Sequence, residues 1–181
     1  GECWQFAEWE RQILKERGKE MCEWWTKHLQ GYREIKIRAI ENADVTMQQD
    51  DPWTMHLIPD RYSEQARLAA ASANVSTFAV WQGLFAFWCW RNAESDDKEP
   101  NSSQESCVYL KGPYARREMR IFQSTVGYFL NMLVYKYDGE ALQKGTLEDV
   151  ARERGRVITE TIERGAMYPS QKISRDFVWD L

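Results

Sequence analysis

Apolar positions along this chain fall into blocks set between strongly polar stretches, and one block differs from the rest. The run Thr77-Phe-Ala-Val-Trp-Gln-Gly-Leu-Phe-Ala-Phe-Trp-Cys-Trp-Arg91 is aromatic or aliphatic almost throughout. An element apolar on every face has to be wrapped by others, so this run is expected at the centre of the fold. With Ser63 as a cap and the alanine-rich Ala66 to Ala73 before it, the run predicts one long helix ending near Arg91.

The other blocks also read as helices. Phe6, Trp9, Ile13, Met21, Trp24, Trp25 and His28 recur at helical spacing over residues 2 to 30, with Gly18 as a candidate kink and Gly31 as a candidate stop. Leu29, Tyr32 and Ile35 prolong the stripe toward Ile40, although Ile35-Lys-Ile37-Arg also suits a short strand. Pro113 suits the first turn of a third helix over Tyr114 to Tyr137, with Met119, Phe122, Val126, Phe129, Leu130 and Leu133 on one face and Asp138-Gly139 as its stop. Thr146 caps a fourth helix, with Glu148 and Asp149 in its first turn and a stripe of Leu147, Val150, Ala151, Val157, Ile158 and Ile162. Residues 42 to 59 and 92 to 112 read as connections, and the tail from Ile173 to Leu181 as a segment docked on the bundle. The expectation is a single all-α domain over residues 1–181: a four-helix bundle with a long first connection and a docked C-terminal tail.

Composition narrows the functional classes. A chain of 181 residues with 13% aromatic and 29% charged residues is expected to be globular. The apolar run is shorter than the roughly 20 residues of a membrane-spanning helix and is interrupted by Gln82 and Gly83. A net charge of -4 gives no electrostatic reason to expect nucleic acid. The first 30 residues carry charges where a signal peptide needs an apolar stretch, so a secreted protein would be present in its mature form.

Catalytic chemistry is sparse. Only His28 and His56 offer imidazoles, neither beside a serine or cysteine in a nucleophilic pattern, and His28 reads as a packed residue on an apolar helix face. Asp50-Asp51 and Asp96-Asp97 lack the spacing of calcium or carboxylate metal sites, and the glycines stand singly. No catalytic residue, cofactor or metal is therefore expected. Cys3, Cys22, Cys89 and Cys107 contain no C-x-x-C pair; they allow two disulfides in three connectivities, with Cys89 either a staple to Cys22 or inert packing. Asn74-Val-Ser76 and Asn101-Ser-Ser103 match the glycosylation pattern.

Val80-Trp-Gln-Gly-Leu84 followed by Asn101-Ser-Ser-Gln104, together with Phe129-Leu130 and Tyr137-Asp-Gly-Glu-Ala141, resembles the erythropoietin family of four-helix cytokines. Ile58-Pro59 to Gln82 and Phe85-Ala86 is similar in spacing to the second helix of type I interferons. Both resemblances imply a helical bundle. Gly155 to Gly165 is similar to the glycine-arginine segment of Bcl-2-like proteins, and Thr146 to Ile162 resembles the start of a helix-turn-helix, although its even mixture of acids and bases suits a surface helix better. The functional expectation is a secreted, cytokine-like, disulfide-bonded glycoprotein that binds a receptor without catalysis, with Arg11, Lys15, Arg152, Arg156 and Glu163 as candidate contacts. The alternatives are a cytoplasmic or viral adaptor gripping a partner helix in an apolar groove, and a helical enzyme without a recognisable motif.

Overall fold

The fold is mixed α/β. The computed structural model describes residues 1–30, 37, 57–93, 107–139, 141 and 146–173, with nothing of the Ser170 side chain. In chain order the elements are α1 (Cys3–His28), α2 (Asp60–Ala73), α3 (Thr77–Asn92), β1 (Cys107–Tyr114), a 3-10 turn (Arg120–Phe122), β2 (Asn131–Asp138), α4 (Leu147–Gly165) and the short α5 (Ser170–Ile173). The chain divides into two compact units: residues 1–34, 107–138 and 156–181 form the first, and residues 35–106 and 139–155 the second.

In the first unit the expected third helix is a correction. β1 and β2 pair antiparallel in register from Cys107 opposite Asp138 to Tyr114 opposite Asn131. The apolar spacing that suggested a helix arises from two separate causes. Met-Leu-Val-Tyr-Lys-Tyr is a β-branched and aromatic strand sequence, in which Leu133, Tyr135 and Tyr137 share one buried face. Phe122 and Phe129, which a helix would place on one stripe, meet instead in a loop, where they pack with Phe6 of α1 and the half-buried Trp9. Phe6 lies 4.4 Å from Phe129 and 5.2 Å from Phe122, centroid to centroid.

Two arginines fold that loop. Arg116 stands at φ 50°, a left-handed conformation that breaks any helix there, and its Nε donates to the Phe129 carbonyl at 2.7 Å while Nη1 pairs with Glu10. Arg117 donates from Nη1 to the carbonyls of Phe122 and Thr125, at 2.7 and 2.8 Å, and lies over the Phe129 ring. Backbone carbonyls that a helix would satisfy internally are thus satisfied by guanidinium groups. At the start of β2, the buried Asn131 amide donates to the carbonyls of Ala166 and Tyr168 at 2.8 Å each, fixing the chain after α4.

In the second unit the expected long helix is two helices. Asn74 ends α2 in the left-handed conformation at φ 55°, the Val75 N–H donates back to the Ala70 carbonyl at 2.9 Å, and Ser76 starts α3 by accepting from the Ala79 N–H at 3.2 Å. α2 begins at Asp60, so Ser63 lies inside it instead of capping it. Ala66 and Ala70 of α2, Val80 of α3 and Ala151 of α4 make the core, with Leu84 and Leu147 packed against it. Gly83 permits the approach: a Cβ there would lie 2.7 Å from Arg154 Cγ.

Thr146 caps α4 as expected from its sequence, accepting from the Asp149 N–H while its own N–H donates to Asp149 Oδ2 at 2.9 Å. α4 runs unbroken to Gly165, so the turn of a helix-turn-helix is absent from Thr146 to Ile162. α1 runs through Gly18 without interruption and stops at His28. Ile37 pairs with Ala93 in an isolated antiparallel bridge, which favours the strand reading of Ile35 to Arg38 at that residue. Asn42 to His56 and the tail beyond Ile173 lie outside the described residues.

Candidate functional site

α3 is not covered on all sides, as its composition had suggested. Ala79, Val80, Gly83, Ala86, Cys89 and Trp90 are buried, whereas Phe78, Phe85 and Trp88 are 52%, 55% and 49% exposed. The three follow one another at i, i+7 and i+10, within an arc of about 80° at 3.6 residues per turn, with the half-buried Trp81 between them. Phe85 and Trp88 stack nearly parallel, 6.1 Å apart at 11°. α2 of the same unit exposes Tyr62 and Leu68 as well, at 45% and 54%. A row of large aromatic side chains held in water on a rigid helix is costly unless something covers it, and such anchors dominate protein recognition. The sequence carried no sign of which side of this apolar helix would stay open, because the pattern is apolar all round.

The second notable constellation lies in the first unit, around His28. Its ring stacks on Trp24 at 4.4 Å and 19° and meets the edge of Trp25 at 5.5 Å and 83°. Trp25 is fully buried, and its indole N–H donates to the Gly165 carbonyl at 3.2 Å. His28 Nε2–H donates to the Val134 carbonyl of β2 at 3.2 Å. Burial drives the imidazole down from 6.5 to about 4, partly opposed by that hydrogen bond, so the ring is neutral at pH 7. Gly165 makes room for the pair: a Cβ there would fall 2.7 Å from both Trp24 Cζ3 and Trp25 Cζ2.

The candidate contacts named from sequence lie on two helices. Arg11 and Lys15 are exposed on α1, and Arg152, Arg156 and Glu163 on α4. Arg152 pairs with Asp149, and Arg156 with Glu160, each at 3.1 Å. Exposed pairs of this kind contribute little, which suits a solvated helix face. Asn74 is exposed, but its role in the backbone is to end α2; Asn101, His56, Asp50-Asp51 and Asp96-Asp97 lie outside the described residues.

The disulfide expectation is also corrected, since Cys3, Cys22, Cys89 and Cys107 are all free. Cys3 Sγ donates to the Val126 carbonyl at 2.7 Å, whereas Cys107 sits in β1 opposite Asp138. Cys89 is buried, which raises its thiol above the usual range and makes it inert packing. Among the described residues no group of three His, Cys, Asp or Glu is placed to hold a metal ion, and no helix is long and apolar enough to cross a membrane.

No protein-family model and no curated protein matches this sequence. Among solved structures the chain is similar to the SgcC5 protein of Streptomyces globisporus, crystallised with (R)-(-)-1-(2-naphthyl)-1,2-ethanediol and sucrose. The TM-score is 0.63 at 19% identity, over 95% of this chain and 36% of that one. The chain thus spans about a third of the length of SgcC5, and the likeness is one of an α/β fold. The mixed fold removes the architectural basis of the cytokine expectation: Phe129-Leu130 lies in a loop and Tyr137-Asp138 at the end of β2, where the third helix of a bundle was expected. With the all-α bundle and the disulfides gone, nothing remains to support a secreted cytokine.

Proposed function

We propose that this chain is a protein-binding module whose α3 docks a folded protein partner on Phe78, Phe85 and Trp88. The observation that carries the reading is the exposure of about half of each of these side chains along one helix face. Their i, i+7, i+10 spacing suits an apolar helix or domain surface laid along α3. The occupant is taken to be a protein domain because the fold accounts for only 36% of the SgcC5 chain, so the same architecture there belongs to a much longer polypeptide. In this reading the charged faces of α1 and α4 keep the surface hydrated and do not set partner choice.

A photo-crosslinking phenylalanine analogue placed at Phe85 in the natural protein, in its own cells, tests this. Lys19, whose side chain is 91% exposed on α1, serves as the control position. Crosslinks from position 85 to one defined protein surface, weakened at least tenfold by Trp88→Ser, are expected. Crosslinks only to further copies of this chain, or a pattern no different from position 19, would overturn the proposal.

A further inference from the structure

The first unit holds a titratable group that the proposed docking face does not use. His28 closes the last turn of α1, and its ring is enclosed by Trp24, Trp25 and the Val134 carbonyl. The hydrogen bond to Val134 requires a proton on Nε2, so in the neutral ring Nδ1 carries the lone pair. A second proton therefore enters at Nδ1 and charges a ring that lies between two indoles. The charged groups acting on it are Lys136 of β2, which opposes the cation, and Glu160 of α4, which favours it. Glu160 is already committed, with Arg156 at 3.1 Å and Arg164 at 3.7 Å. On α1 itself Lys27 adjoins His28 in sequence and is exposed. The negative end of the α1 dipole and the face of Trp24 attract a cation. Loss of water around the enclosed ring outweighs them.

We propose that the Trp24–Trp25–His28 box is an acid-sensitive latch: it holds the last turn of α1 on β2 while the imidazole is neutral, and releases that turn when the ring takes a second proton. Release follows from the geometry. The ring is part-buried, so once charged it gains hydration by moving off the indoles, and that movement breaks the bond to Val134 and unstacks Trp24. Trp25 stays anchored by its bond to Gly165, so the opening is confined to the turn beyond it.

With two histidines in the chain, His56→Gln leaves a single imidazole signal, whose proton titration can be followed by NMR in the full-length protein. The expected result is a midpoint near pH 4 for His28, with the protection of the amides of residues 26–29, their exchange measured against the intrinsic rate at each pH, falling at least tenfold over the same interval. His28→Gln, which cannot be charged, is expected to show no such loss of protection between pH 6.5 and 4. A midpoint at or above 6.5 would overturn the latch, as would a titration near 4 that leaves the protection of the turn unchanged. If His28→Gln fails to fold, the coincidence of the two midpoints in the His56→Gln protein decides the matter alone.

Discussion

At Gly18, α1 carries a residue that nothing in its surroundings requires: it is helical, and a Cβ there would meet no atom within 4 Å. Gly18→Ala is expected to stabilise the chain by about 0.5–1 kcal/mol, because it removes unfolded-state freedom at no steric cost; a urea midpoint measures it. Gly165 is the opposite case. A Cβ there runs into Trp24 and Trp25, so Gly165→Ala should cost roughly 1–3 kcal/mol in the same assay, as overpacked cores do. His28 makes stability depend on pH. Its folded value near 4 lies below the unfolded 6.5, so the unfolded chain binds the extra proton more readily between those values. The contribution is intact above pH 6.5 and is lost as pH falls toward 4, on the order of 3 kcal/mol in total. His28→Gln should flatten that part of the pH profile in chemical denaturation. That His28 would be packed follows from its helical spacing among tryptophans; that its partner would be the Val134 carbonyl does not, because the two are far apart in the chain.

At the scale of elements, local signals identified α1 and α4 well and failed wherever tertiary pairing decided. Thr146-Leu-Glu-Asp149 shows its cap in the sequence itself, and Thr146→Ala should cost about 1 kcal/mol by thermal denaturation. Asn74-Val-Ser76 also carries its break openly, as a left-handed asparagine followed by a serine cap. It is easily passed over, because the alanine-rich stretch before it and the aromatic run after it both favour helix. The hairpin was hidden for a different reason. Residues 114–133 mix a 3–4 spacing of apolar residues with period-2 strand sequence, and only the Arg116 conformation and the pairing of β1 with β2 separate the two. Disulfides were expected because four cysteines are an even number and Cys3 and Cys107 stand in polar sequence contexts, and neither fact says which thiols lie near one another.

For the whole molecule, composition argued against a membrane-spanning helix, and among the described residues no helix is long and apolar enough to be one, yet composition made the aromatic run of α3 look like a core wrapped on every side. Burial of one face and exposure of the other is a property of what surrounds the helix, and a pattern apolar all round holds no record of it. In the proposed function the open face, with Phe85 and Trp88, is what a partner recognises, and the exposed charges of α1 are not. Affinities of the partner captured at Phe85 decide between them, measured by calorimetry for the unaltered protein, for Phe85→Ser/Trp88→Ser and for Arg11→Ala/Lys15→Ala. A loss of at least thirtyfold in the aromatic pair, the size of about 2 kcal/mol for a central anchor, with a change under threefold in the charge pair, is the predicted result. The reverse ordering would contradict it.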